Sequence, residues 1–196
     1  MTVETITVQR RITPAQQERR ARVLDAAVAL ARDGGYEAVM MKDVAERAGV
    51  ALATVYRYFS SKDQLLAEAL VGWGGVLEER LRARPPRGET AADRVTDVLA
   101  RAVRAVEAEP AFARAVTAAL LSPDPAVAES QARYDTMMHK WLDLALGDSD
   151  VADRDGVVDV LQHVFFSGMV GLVNGRRTPA QIRVQVERAA RLLLDR

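Results

Sequence analysis

Residues 41–59 read MKDVAERAGVALATVYRYF, and the apolar spacing in this stretch decides the fold. Val44, Ala45 and Ala48 share one face of a short helix over Lys42 to Arg47. The Ala48-Gly49-Val50 turn follows, with Gly49 able to adopt the left-handed conformation that a tight turn needs. A second short helix then runs from Ala51 to Tyr58. Two such helices joined by such a turn form a helix-turn-helix, a unit that lays its second helix in a DNA major groove. On that helix Val55 and Phe59 point into a core, leaving Leu52, Thr54, Tyr56 and Tyr58 outside or at the rim. A surface helix showing two tyrosines, a threonine and a leucine needs something to cover it. DNA fits, because hydroxyls reach phosphate oxygens and leucine contacts a thymine methyl.

The flanking chain supplies a scaffold. Thr13-Pro14-Ala15-Gln16 combines a threonine cap, proline at the first helical position and a capping-box glutamine. Val23, Leu24, Ala27, Val28, Leu30 and Ala31 form an apolar stripe behind it, which Gly34-Gly35 stops. After the helix-turn-helix, Ser60-Ser61-Lys62-Asp63 opens a fourth helix that reaches Leu81. Gly72, Gly74 and Gly75 interrupt it, marking either a bend where head joins body or a point of close helix approach near Trp73. Arg84-Pro85-Pro86-Arg87-Gly88 is a linker. Helices then start at Thr90 and Pro110, and a third opens after Ser122-Pro123-Asp124-Pro125 and closes at Gly147. Another runs from Asp150 or Asp153 to Asn174-Gly175, and a last one starts at Thr178-Pro179-Ala180-Gln181. The expected fold is all-α: a flexible arm over 1–12, a three-helix DNA-binding head over 13–60, and a roughly six-helix ligand-binding and dimerisation body over 61–196.

Charge is uneven along the chain. Lys plus Arg and Asp plus Glu both number 27, so the formal net charge is zero. Between Met1 and Lys62, however, ten basic residues face seven acidic ones, and Arg10, Arg11, Arg19, Arg20 and Arg22 cluster within Val8 to Arg22. A basic head on an acidic body suits phosphate contact at one end. The hydrophobic share of 49% and charged share of 28% are those of a soluble globular chain. No uninterrupted apolar run approaches the roughly 20 residues of a membrane span. The start, MTVETITVQRR, lacks a secretory core, and there is no cysteine, so a cytoplasmic protein without membrane attachment is expected.

Catalytic chemistry has no foothold. His139 and His163 stand on different helices with no cysteine to join them, so neither a metal nor another cofactor is expected. No phosphate loop, dinucleotide fingerprint or nucleophile elbow occurs. The body instead holds Phe112, Tyr134, Met137, Met138, Trp141, Phe165, Phe166 and Met169, a soft interior able to line a cavity for a small apolar effector. Val157 to Val173 is apolar nearly all the way round, and a helix of that kind must be buried on most sides. A second copy of the chain is implied, with Val164, Gly168, Leu172, Val186, Ala189 and Leu193 as its expected contacts.

From Leu24 to Leu70, the glycine-closed brace, VAERAGV, VYRYF and SSKDQLL resemble the DNA-binding head of the TetR family of one-component bacterial regulators. That resemblance implies an all-helical homodimer on a palindromic DNA operator. Helices 8 and 9 of two subunits would pair as a four-helix bundle, and helix 4 would carry the effector signal to the head. It also implies that Thr54, Tyr56 and Tyr58 face DNA, and that Lys62 and Lys42 hold phosphates at two helix starts. The GGYEAV and AGV…YRYF runs are similar to those of the family's cholesterol-catabolism repressor subgroup, which implies a lipid-like effector. Family members commonly carry a serine or threonine at the position of Ala51, a glycine at that of Ala53 and a polar cap at that of Met41. A missing cap costs a helix about 1 kcal/mol. The functional expectation is an effector-released repressor; the alternative is a DNA-binding regulator or architectural protein controlled by a partner, with no small-molecule effector.

Overall fold

Three helices open on the same device. Thr13, Thr90 and Thr178 each accept a hydrogen bond from the backbone N–H three residues on, and the side chains of Gln16, Asp93 and Gln181 reach back to the threonine N–H. Two donors that a helix start leaves free are thereby satisfied. The computed structural model describes residues 13–195, so the expected arm over 1–12 lies outside the described residues. The chain forms α1 (Pro14–Ala38), α2 (Met41–Ala48), α3 (Leu52–Tyr58), α4 (Lys62–Ala83) and α5 (Ala91–Ala108). It continues through α6 (Pro110–Leu120), a 3-10 turn at Pro125–Val127, α7 (Ala128–Leu146), α8 (Arg154–Val173) and α9 (Pro179–Leu194). No strand occurs among the described residues, as the all-α expectation requires.

The helix boundaries differ from expectation in three places. Gly35 does break α1, with φ 73° and ψ −157°, but the helix resumes for one more turn to Ala38. The cap of α2 is Met40 rather than Met41, and that of α3 is Ala51; neither contributes a side-chain hydrogen bond. Helix α4 runs through Gly72, Gly74 and Gly75 without interruption, which removes the bend. Close approach explains Gly74, where a methyl group would overlap Met137 Sδ and lie 3.3 Å from Trp141 Cζ2 of α7. Gly49 takes φ 64° and ψ 41°, the left-handed turn anticipated between α2 and α3.

Packing produces two apolar clusters. Val23 and Ala27 of α1, Val44 of α2, Val55 of α3 and Phe59 form the head core, which continues through Leu65 and Leu66 into Phe112 and Val116 of α6. The head therefore shares its core with two helices of the body. The second cluster joins Leu81, Val95, Leu99, Leu142, Leu161 and Ile182 across α4, α5, α7, α8 and α9. Arg94 on α5 closes the end of α7 by donating to the carbonyls of Ala145 (2.8 Å) and Leu146 (3.2 Å), which a helix end leaves free. By length and composition α8 is apolar enough to cross a bilayer, which a search for uninterrupted apolar runs misses because Asp155, Asp159 and Gln162 divide it. It packs instead on α6, α7 and α9, with Leu161, Phe165 and Met169 in the body core.

Candidate nucleic-acid interface and body cavity

On the head, Lys42 is exposed in the first turn of α2, and Leu52 and Tyr56, four apart on α3, are 40% and 51% exposed. Thr54 is half-buried and Val55 fully buried, which fixes the outward side of the helix. Tyr58 takes the rim, one of the two placements expected for it. Its hydroxyl is buried without a hydrogen-bond partner, its ring lies 6.4 Å from that of Phe59, and the Arg57 guanidinium sits 5.3 Å over it. The i+3 step from Val55 turns Tyr58 toward the core face, so it packs the rim rather than standing beside Tyr56. Lys62 is held at the start of α4 by the Tyr36 ring, 3.7 Å from its Nζ, and donates to the Tyr36 carbonyl at 3.2 Å. An ammonium has three donors, so two remain for a phosphate. Tyr36 is anchored in turn by donating to Asp63 at 2.5 Å; burial, then this bond, pushes its hydroxyl up to about 12.

The arginine cluster of α1 divides between two roles. Arg19 is exposed, whereas Arg22 donates to the Ala48 carbonyl at 3.3 Å and closes α2. Arg20 turns inward to Glu68 of α4, a carboxylate the sequence reading missed. Glu68 is 7% exposed and accepts from Arg20 (2.5 Å), Ser130 (2.7 Å) and two nitrogens of Arg133, the nearer-to-chain Nε at 3.0 Å. Burial alone would raise this carboxyl, but the bonds from Ser130 and Arg133 outweigh it and hold it below the usual range. The signal was present in LLAEAL: Glu68 stands three residues after Leu65, on the apolar stripe of α4. The Arg20 guanidinium also lies 5.1 Å over the Phe59 ring, directly after the recognition helix.

In the body, seven of the eight expected cavity residues meet. Tyr134, Met137, Met138 and Trp141 of α7 and Phe165, Phe166 and Met169 of α8 line one inner cavity of about 50 Å³. Trp73 of α4, Val106 of α5 and Thr117 of α6 are among its other walls, none of them among the expected residues. Phe112 lies elsewhere: it is buried in the head core, 5.9 Å from Trp73, because the first turn of α6 packs under α1. An open groove of about 810 Å³ runs outside, between α7 and α8, lined by Asp135, His139, Lys140, Asp159, Gln162 and His163. Leu120, Tyr134 and Phe166 belong to the walls of both spaces. Burial raises the Tyr134 hydroxyl and the Asp135 carboxyl above their ordinary values. His139 Nε2 faces Asp155 at 3.6 Å and His163 Nδ1 lies 2.7 Å from the Asp159 carbonyl; among the described residues no cluster of three metal-binding side chains forms.

Two of the six expected dimer contacts are taken up within the chain. Val186 is fully buried in the body core, and Gly168 abuts Ile182 of the same chain. Val164, Leu172, Ala189 and Leu193 are half-buried against that core. The apolar residues left outward are Val160 of α8 and Val184 and Leu192 of α9, the last two 57% and 71% exposed. A helix apolar on every side, such as α8, does not reveal in sequence which side faces its own core.

The chain matches the family described as "Bacterial regulatory proteins, tetR family" over residues 23–69, and "Tetracyclin repressor-like, C-terminal domain" over residues 88–193. It belongs to the TetR family. Similarity within the TetR family runs through head and body alike. The HTH-type transcriptional repressor KstR of Rhodococcus jostii (strain RHA1) is 35% identical over 181 residues, covering 92% of this chain and 84% of the relative. A TetR transcriptional regulator from Rhodococcus sp. RHA1 superposes with a TM-score of 0.82 at 28% identity, over 91% of this chain and 97% of that one. FadR from Bacillus subtilis, crystallised with stearoyl-CoA, shares the fold with a TM-score of 0.61 at 18% identity, over 89% of this chain and 97% of that one.

Proposed function

We propose that this TetR-family protein represses transcription as a cytoplasmic homodimer that binds a palindromic operator and is released by a small apolar, lipid-like effector. The carrying observation is α3, which leaves Leu52 and Tyr56 uncovered on a helix whose other side is locked into the head core. The KstR relatives, named as transcriptional repressors, support the sign of the effect. Lys42 and Lys62 hold phosphates at the starts of α2 and α4, and Tyr56, Thr54 and Leu52 meet the groove. Pairing through the outward side of α8 and α9, around Val184 and Leu192, sets two heads about 34–36 Å apart on successive major grooves.

The effector acts through its different affinity for two arrangements of the heads. A connected route exists for this coupling. Tyr134 lines the cavity, the adjacent Arg133 binds Glu68, Glu68 binds Arg20, and Arg20 covers Phe59 at the end of α3. A ligand that displaces Tyr134 moves α7 and with it this ion cluster. A second reading has an observation in its favour: the inner cavity of about 50 Å³ is far smaller than the usual ligand pocket of about 300–1,000 Å³. A partner-controlled regulator with no effector would need no more room than that. Footprinting on the DNA flanking the protein's own gene tests the main reading. The expected result is one protected inverted repeat that an apolar effector exposes again; uniform, sequence-independent protection refutes the operator reading.

A further inference from the structure

Three observations at the body cavity fit together. First, Tyr134 and Phe166, edge to face with ring centroids 6.3 Å apart, and Leu120 wall both the inner cavity and the outer groove. Second, Trp141 lines the inner cavity, whose walls are apolar apart from Thr117 and Tyr134. Trp141 is 2% exposed, and its indole N–H is buried with no acceptor. An indole has only that one polar atom, and leaving it unpaired costs about 1–3 kcal/mol. Third, the surrounding side chains are adaptable: Met137, Met138 and Met169 line the same cavity, and thioether chains repack readily around a guest.

We propose that Tyr134 and Phe166 form a movable partition, and that the joined space takes an elongated apolar ligand whose buried end carries an uncharged carbonyl oxygen accepting from Trp141 Nε1. This inference rests on the effector reading above and narrows it to a chemical class. An ordinary hydrocarbon would fill the apolar walls and leave the indole N–H unmet. A carboxylate end would bring a charge into a space with no cation on its wall, at a steep desolvation cost. A ketone or ester satisfies the donor without a charge. In the closed arrangement the aromatic pair shields the inner space, and its small volume is the resting state of a site that opens outward into the groove of about 810 Å³.

The test uses the full chain and two elongated probes of matched shape, 4-phenylcyclohexanone and phenylcyclohexane, which differ by a carbonyl oxygen at one end. Calorimetric titration is expected to show 4-phenylcyclohexanone binding about 3–10-fold more tightly, the value of one buried hydrogen bond. Trp141→Phe removes the donor and keeps an aromatic ring; it is expected to erase that preference while retaining phenylcyclohexane binding. Phe166→Ala removes half the partition and is expected to speed association of both probes several-fold in stopped-flow mixing. Far-UV circular dichroism and operator binding confirm that each variant is folded. Equal affinity for the two probes in the wild type, no 4-phenylcyclohexanone binding, or a preference that survives Trp141→Phe overturns the proposal. If the probes bind equally yet weaken operator binding, the effector reading stands and the carbonyl class alone falls. If neither binds and operator affinity is unmoved, both fall.

Discussion

Removing both Arg20 and Arg133 isolates Glu68 and tests the link between head and body. Glu68 is 7% exposed, so its charge is tolerated only through its partners. Each guanidinium is partly exposed, 34% for Arg20 and 40% for Arg133, and each can return to water when the contact is lost. A single Arg20→Ala or Arg133→Ala leaves one arginine on the carboxylate and is expected to cost about 1–2 kcal/mol. The double substitution leaves only Ser130 and is expected to cost about 3–5 kcal/mol, more than the two singles together. For a chain of this size that lowers Tm by about 6–20 °C.

The pH dependence carries the sharper signature. In the wild type the Glu68 carboxyl is held below its ordinary value, so its stabilisation is present above the unfolded-state pKa and is lost as pH falls below about 4. In the double variant burial dominates and the carboxyl rises above its unfolded value. Its penalty is then largest at high pH and fades as acid protonates it. Urea denaturation followed by circular dichroism at about pH 8 and about pH 5 should show the deficit of the double variant shrinking at the lower pH. Additive costs with no dependence on pH would refute the assignment of Glu68 as a charged hub.

Three other perturbations follow from the geometry. Ala51→Ser supplies the missing cap of α3 and is expected to stabilise the head by about 0.5–1 kcal/mol and slow amide exchange over 51–58, which hydrogen-exchange mass spectrometry would detect. Lys42→Ala removes an exposed charge proposed to meet a phosphate and should lower the slope of log affinity against log salt by about 0.9, read by binding at four salt concentrations. Leu192→Glu places charge on the outward side of α9 without touching the body core and should shift the protein toward monomer in sedimentation, whereas an unchanged mass would move the dimer contact elsewhere.

Much of this architecture was legible because it is written in short-range chemistry. The three threonine boxes, Gly49, Gly147 and Asn174-Gly175 mark helix ends through hydrogen bonds and φ values that depend on a few adjacent residues. The outward side of α3 followed from two buried residues four apart. Long-range facts were harder to read. Tyr58 sits one helical step past Val55, and only the packed head shows that its hydroxyl turns inward. Phe112 looked like its aromatic neighbours in the body, but α6 starts beneath α1 and delivers it to the head core. In sequence Gly74 fits either a hinge or a close contact, and only the position of Met137 and Trp141 decides between them. For α8 and α9, apolar residues on several sides hide which of them face the chain's own core, and only the packed body shows that Val186 and Gly168 do.

The central claim is that α3 reads an operator sequence through side chains the head leaves uncovered. Fluorescence anisotropy of wild type and Tyr56→Ala, each titrated onto the footprinted operator duplex and a scrambled duplex at fixed salt, tests it most directly. The account predicts that wild type prefers the operator by about 10³-fold or more, and that Tyr56→Ala loses about tenfold on the operator with little change on the scrambled duplex. Equal affinity of the wild type for both duplexes, or operator affinity untouched by Tyr56→Ala, would contradict it.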